Sequence, residues 1–326
     1  MRHLLRRLLF YLVALWVSVT LNFLLPRLSP GDPVRALIAR LHGRVGPQTI
    51  HSLEVLLGVN NHDSLWTQYL QYLNNLAHGD LGASITYLPT PVSKIIAQDL
   101  PWTLMLVGVT LVISFALGTF LGVIVAWRRG KAMDTIFPPV FTFLSAIPYF
   151  WFALIILYVF GFLLNWFPTL GGYDIDNTVP GWNMTFILSA IEHAILPAIT
   201  IIVSSIAGWL LGMRNMMITT LSEDYVLMAE AKGLPDRRIM FVYAARNAIL
   251  PNITSFALSL GFVVSGALLT EIVFNYPGIG YAFLVAVNNK DFALIQGLFL
   301  VIAIAVLAAN FLSDLLYVVL DPRVRQ

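Results

Sequence analysis

Long apolar segments constrain this chain more than any other feature of its sequence. Only a structure that satisfies its own backbone hydrogen bonds is stable in hydrocarbon, and about 20 apolar residues suffice for a helix to cross it. The segments that meet this requirement are Leu8–Leu25, Trp102–Trp127, Ile136–Leu164, Leu196–Met213, Ile249–Phe274 and Leu294–Leu320. The sequence therefore predicts an all-α integral membrane protein with about six transmembrane helices.

Composition supports the same class. Hydrophobic residues make up 58% of the chain and charged residues 11%, against roughly 45–50% and about 25% in soluble domains. The chain has no cysteine, which excludes disulfides, thiolate catalysis and zinc–thiolate sites.

Positive charge is concentrated on one predicted side of the membrane. Arg2, Arg6 and Arg7 precede the first span, and the other basic residues on this side are Arg128, Arg129, Lys131, Arg214, Lys232, Arg237, Arg238, Arg246, Arg323 and Arg325. The positive-inside rule assigns this side, and both termini, to the cytoplasm. No small-residue cleavage site follows the first apolar run, so residues 1–26 are predicted to be a permanent anchor.

Residues 27–101 form the longest polar region and are predicted to lie outside the cytoplasm. Two sets of apolar residues recur there at helical spacing. They are Val34, Leu37, Ile38, Leu41 and Val45, and then Trp66, Tyr69, Leu70, Leu73 and Leu76, with Gly79 as a C-terminal cap. We expect a small helical cap on the outer mouth, ahead of a membrane core over residues 102–326.

Small residues and prolines mark several spans. Small residues four apart let helix backbones approach closely in lipid, and they are Ser114, Gly118 and Gly122 in the second span and Ser204, Gly208 and Gly212 in the fourth. Ser255, Ser259, Gly266 and Thr270 lie roughly along one face of the fifth span, where helix packing and a wet pathway are both open interpretations. Pro138, Pro139 and Pro148 predict a kink or a late start in the third span.

The polar connection over residues 214–248 lies between the fourth and fifth spans. Thr220-Leu221-Ser222-Glu223 fits a capping box, and Gly233 stands where a helix should stop, so a helix is predicted from about Leu221 to Lys232. Pro235 then fits the first turn of a second helix. A connection with two capped helices is longer than most, so we favour contact with a soluble partner over a plain surface linker.

Several motifs then resemble one known family, from near the start of the chain to its end. Ala229-Glu230-Ala231-Lys232-Gly233 with Leu250-Pro251 looks like the EAA signature of ABC importer permeases, in the variant of the dipeptide and oligopeptide group. Similar landmarks are Pro30-Gly31-Asp32-Pro33, Gly79-Asp80-Leu81-Gly82-Ala83-Ser84, Leu100-Pro101-Trp102-Thr103-Leu104, His193-Ala194-Ile195-Leu196-Pro197, Glu271-Ile272-Val273-Phe274-Asn275-Tyr276-Pro277-Gly278-Ile279-Gly280 and Asp321-Pro322-Arg323-Val324-Arg325.

The resemblance implies a coupling helix that docks on a cytoplasmic ATPase. The residues that would make or shape this contact are Asp224, Ala229, Glu230, Ala231 and Gly233. The implied partners are a second related permease, two ATP-binding subunits that hold ATP and Mg²⁺, an extracytoplasmic solute-binding protein and the lipid bilayer. Leu227, where many permeases have glutamate, and the long interval from Gly233 to Pro251 depart from the broad signature but fit the peptide group.

Other chemistry is less supported by the residues. The G-x-x-x-x-G-K-[ST] nucleotide motif is absent, so this chain is expected to be non-catalytic, with no cofactor or metal of its own and no nucleic acid partner. Glu192 and His193 could form a proton relay or a pair of metal ligands. We favour the alternative that they are interfacial residues that fix the end of the helix. Glu271 is a candidate pathway residue or a structural hydrogen-bonding group, and Asp314 receives no transport role.

The prediction is therefore a permease in a prokaryotic plasma (inner) membrane that forms half of a solute pathway. Peptide is the expected solute, with β-linked oligosaccharide as the alternative. An ion-coupled secondary transporter is the rival class, but its usual midplane charges are nearly absent here. An intramembrane enzyme finds no support in an H-E-x-x-H or G-x-S-x-G motif.

Overall fold

A computed structural model describes residues 2–28, 64–264 and 267–320 of the chain. The helical pattern predicted over Val34 to Val45 lies outside this range. In chain order the helices are α1 (Arg2–Leu28), α2 (Leu65–Ala77), α3 (Val92–Trp127), α4 (Ala132–Ala146), α5 (Tyr149–Leu163), α6 (Met184–Leu221), α7 (Asp224–Ala231), α8 (236–248), α9 (Leu250–Phe262), α10 (Leu268–Val273), α11 (Ile279–Asn288) and α12 (Phe292–Leu320). The backbone is π-helical at Leu157–Leu163 in α5 and at Ile239–Ala245 in α8.

Four helices in the described part of the chain are long and apolar enough to cross a membrane: Arg6–Leu24 of α1, α3, α6 and Phe292–Leu312 of α12. α4 and α5 pass the same test only as a pair, and they are bent by 93° relative to each other. By length and composition the described residues therefore provide four such spans, or five if the bent pair is one, so the predicted count of about six is not confirmed.

The bend predicted in the third span lies at Pro148. Ile147 has extended backbone between α4 and α5, because proline disfavours helical geometry in the residue before it. Pro138 and Pro139 lie inside α4, so they do not interrupt the helix.

The fifth predicted span, Ile249–Phe274, is wrong as a single helix. α9 ends at Phe262, one residue after Gly261, and Val263 donates to the Leu260 carbonyl in a tightened final turn. Glycine weakens a helix interior by roughly 1 kcal/mol relative to alanine. The second and fourth spans are longer than predicted, and Pro101 and Pro197 are accommodated inside α3 and α6.

The described residues divide into two compact units. The first contains α1, α2, the start of α3, α11 and most of α12. α2 confirms the predicted helix, with Ser64 as its N-cap and Gly79 at φ +73° just after its end. Asn22 of α1 donates to the Gln296 carbonyl at 2.7 Å, and the Gln296 amide donates to the Asn22 carbonyl at 3.0 Å. This reciprocal pair joins α1 to α12 by hydrogen bonds that lipid cannot provide.

The second unit contains the rest of α3 and α4 to α10. α3 crosses α6 at Gly118 and Gly122, where an added Cβ would lie only 2.6 Å from the Trp209 Cβ and from the Leu210 carbonyl oxygen, respectively. Their predicted packing role is confirmed. Gly208 differs, since no described atom lies within 4 Å of a Cβ built there.

Candidate coupling site

Helix α7 is embedded in the second unit along one side. Val226 and Ala229 are 0% and 2% exposed, and they join a core cluster whose other buried members include Met213 and Met217 of α6. Positions three apart share a helix face, so this face holds α7 against its own subunit. Ala229, which the resemblance implies makes or shapes the ATPase contact, lies in this internal core, and its role in coupling stays a prediction.

The start of α7 differs from the predicted capping box. Thr220 is still inside α6, where its hydroxyl donates to the Met216 carbonyl at 2.8 Å. The N-cap of α7 is Glu223, whose side chain makes no capping bond to the described residues. Because α6 remains helical through Leu221, Thr220 is not available to cap the next helix, and α7 begins at Asp224.

The end of α7 is a Schellman motif. Leu234 donates its amide to the Ala229 carbonyl at 3.3 Å, and Gly233 donates to the Glu230 carbonyl at 2.8 Å. Gly233 has φ +70°, a left-handed conformation that costs residues with a Cβ roughly 1–2 kcal/mol. The predicted stop at Gly233 is confirmed, and it turns the chain sharply toward α8.

The outer face of α7 is exposed and partly apolar. Leu227 is 49% exposed and Met228 is 58% exposed. Asp224 and Ala231 lie three or four residues from this pair along α7, and both are exposed. Glu230 and Gly233 are exposed as well. Four of the five predicted coupling residues are thus accessible. Leu227 and Met228, which the sequence reasoning did not assign to the contact, form the apolar centre of the face.

Two polar contacts that the sequence reasoning missed hold this region. Asn247 of α8 donates to the Tyr225 hydroxyl at 3.0 Å, which joins α8 to α7. Arg214 of α6 forms an ion pair with Asp134 of α4 at 2.6 Å, and the amide of Gly130 donates to the same carboxylate. Arg214 lies inside α6 and Asp134 in the first turn of α4. The sequence shows that both residues are charged, but it does not show that two residues 80 positions apart are close in space.

The stripe proposed along the fifth span does not form one helical face, because α9 and α10 are separate helices. Ser255 is exposed and Ser259 is half-buried on α9, where the Ser259 hydroxyl donates to the Ser255 carbonyl at 2.9 Å. Thr270 and Glu271 are fully buried in α10, and Gly266 lies outside the described residues. The pathway assignment of this set stays a prediction.

Glu192 and His193 line a cavity of about 720 Å³ with Asp174 and Tyr173. The His193 ring pairs with the Ser189 carbonyl at 2.8 Å. Helix α6 begins at Met184 and is capped by Asn183, so the prediction that Glu192 and His193 fix a helix end is wrong. In the described part of the chain, no group of three or more acidic, histidine or cysteine side chains could hold a metal ion.

The long apolar helices define a multi-pass membrane protein, in which α7 presents an exposed face. Residues 118–326 match the family model of the binding-protein-dependent transport system inner membrane component. The chain belongs to this family and is a permease subunit of an ABC importer.

Named relatives cover nearly the whole chain. The oligopeptide transport system permease protein AppB of Bacillus subtilis is 33% identical over 99% of this chain and 98% of its own length. The di/tripeptide transport system permease protein DppB of Pseudomonas aeruginosa is 36% identical over 96% of each chain. The dipeptide transport system permease protein DppB of Escherichia coli K12 is 32% identical over 95% of each chain.

Proposed function

We propose that this chain imports short peptides as half of a permease pair in a prokaryotic inner membrane, and that α7 is its contact with a cytoplasmic ATP-binding subunit. The observation that carries the coupling assignment is the division of α7 into two faces. Val226 and Ala229 are buried in their own subunit, whereas Leu227 and Met228 are exposed. The peptide assignment is supported by the named transport systems of the relatives, none of which names an oligosaccharide.

The geometry of α7 suits the transmission of movement. A helix packed on α6 and α8, closed by a Schellman turn, moves with its subunit as one rigid element. When two ATP-binding subunits close on ATP and Mg²⁺, they pull α7, and α6 and α9 move with it. The solute-binding protein delivers peptide on the opposite side, and alternating access of the two permeases carries it inward.

The coupling assignment is tested by assembly. Met228→Glu places a charge at the centre of the exposed apolar face without changing the buried face. We expect the tagged variant to reach the membrane but to retain much less ATP-binding subunit on purification, and to lose ATP-driven peptide uptake. Ile175→Glu is the matched control, since Ile175 is 76% exposed in the 174–178 loop. Equal recovery of the ATP-binding subunit with both variants would refute the assignment.

The solute class needs a separate assay. Proteoliposomes that hold the complete complex and its binding protein are expected to accumulate labelled di- and tripeptides when ATP is supplied. Accumulation of a β-linked oligosaccharide in place of every peptide tested would refute the peptide assignment while leaving the coupling assignment intact.

A further inference from the structure

Helix α2 is tied to the C-terminal end of the α1 span. The Tyr69 hydroxyl lies 2.8 Å from the Thr20 hydroxyl, and the Asn22 amide donates to the Tyr72 hydroxyl at 3.3 Å. The Phe23 ring packs against both tyrosine rings, with centroids 5.1 and 5.5 Å apart. α2 therefore has a defined position along α1.

That position is the end of the apolar window of α1, where a helix that crosses a membrane would leave the hydrocarbon. The apolar window of α1 is Arg6–Leu24, so the partners of Tyr69 and Tyr72 lie within its last turns. Just beyond it, Arg27 donates to the Gln68 side chain at 3.1 Å, and its guanidinium lies 3.6 Å from the centre of the Phe23 ring. Tyrosine, tryptophan and arginine are the residues that concentrate at this level of a membrane protein.

α2 has three kinds of surface. Tyr69, Tyr72, Leu73 and Leu76 are at least partly covered, while Thr67, Gln71 and Asn74 are exposed and polar. Between these faces, Trp66 is 67% exposed and Leu70 is 48% exposed. Both lie within about one turn of Tyr69, or roughly 5 Å along the helix axis, so they share the depth of the span boundary.

We propose that α2 is an interfacial helix, and that Trp66 and Leu70 insert into the lipid leaflet surrounding the C-terminal end of the α1 span. The helix contains no charged residue, which suits contact with uncharged acyl chains and zwitterionic headgroups rather than attraction to anionic lipid. Leu21 of α1, next to Thr20 and Asn22, is 55% exposed, so the lipid-facing surface of the span continues to this depth.

The absence of native cysteine makes the proposal testable with single spin labels. Trp66→Cys, Leu70→Cys and the matched control Asn74→Cys are labelled in the assembled transporter in phosphatidylcholine nanodiscs. Collisions with oxygen, which concentrates in lipid, and with a water-soluble nickel chelate are then compared by electron paramagnetic resonance. We expect severalfold higher oxygen-to-nickel ratios at positions 66 and 70 than at position 74.

Two results would overturn the proposal. Nickel accessibility at positions 66 and 70 equal to that at position 74 would place the face in water. Exclusion of both reagents, with or without the binding protein, would show that protein covers it. Tryptophan fluorescence tests the same proposal without a label. Brominated lipid should quench a component of the fluorescence in the native complex that is missing in the Trp66→Phe variant. If the fraction of fluorescence quenched were the same in both, insertion of Trp66 would be contradicted.

Discussion

Gly122 of α3 lies so close to Leu210 of α6 that a Cβ on Gly122 would be 2.6 Å from the Leu210 carbonyl oxygen. Real Cβ atoms essentially never approach another heavy atom this closely. The missing side chain is what allows the two backbones to cross at this separation, as small residues do in membrane helices generally.

Replacing Gly122 by alanine should therefore destabilise the subunit. The added methyl meets backbone and the Met213 Cβ at 2.7 Å, neither of which moves easily, so we expect a loss of about 1–3 kcal/mol and a lower thermal midpoint in detergent. Gly208→Ala is the control, because no described atom lies within 4 Å of a Cβ built there and alanine favours a helix interior by about 0.5–1 kcal/mol. Equal thermal midpoints for the two variants would contradict the close crossing of α3 and α6 at Gly122.

A second close pair joins α6 to α9. A Cβ on Gly212 would lie 2.9 Å from the Asn252 amide oxygen, and the Asn252 amide donates to the Thr119 hydroxyl at 3.3 Å and the Trp209 carbonyl at 3.2 Å. Gly212→Ala should displace this amide, whereas adding Asn252→Ala makes room for the methyl. We expect the two variants to be non-additive by about 0.5–3 kcal/mol in thermal unfolding; strict additivity would be the contrary result.

Hydropathy predicted where apolar helices lie but not where they break. The Pro148 bend followed from its sequence, yet Pro101 and Pro197 are equally prominent and lie inside unbroken helices, because neighbouring helices can compensate the lost hydrogen bond in a membrane. The sequence indicated the gap between α9 and α10 only weakly, through its glycine residues.

The coupling site shows the same limit at the level of single residues. Gly233 was predictable because a left-handed cap requires it, and its φ of +70° agrees. For Ala229 the motif resemblance implied a residue that makes or shapes the ATPase contact, but not the direction of its side chain. That direction depends on the helix phase, which depends on packing by distant residues such as Met213 and Met217. The Arg214–Asp134 pair depends on the same long-range packing.

Gly233 offers a graded test of the α7 cap. No described atom lies within 4 Å of a Cβ built on Gly233, so a substitution acts through its backbone conformation and not through a clash. Gly233→Val should abolish most ATP-driven peptide uptake, because β-branched residues tolerate positive φ poorly, while Gly233→Asn should retain most of it. Both variants should insert into the membrane at native levels, and full uptake by the valine variant would count against the cap.

The Arg214–Asp134 pair should contribute to stability. Both side chains are largely shielded, at 22% and 11% exposure, and hydrogen bonds to charged groups contribute about 1.5–3 kcal/mol. Asp134→Asn should lower the thermal midpoint of the purified complex, whereas Glu192→Gln, at an exposed position on α6, should leave it unchanged. A native midpoint for the Asp134 variant would show that the pair contributes little.

The most direct measurement is a cross-link from the exposed face of α7. Met228→Cys is the single thiol of its variant, because the native chain has none. A short reagent with one thiol-reactive end and one photoreactive end is applied to membranes that contain the whole transporter, so the bond to a neighbouring subunit needs no second thiol. We predict that position 228 joins to an ATP-binding subunit, identified by mass spectrometry, and that a thiol at buried Val226 does not. An assembled transporter in which position 228 never cross-links to that subunit would contradict coupling through α7.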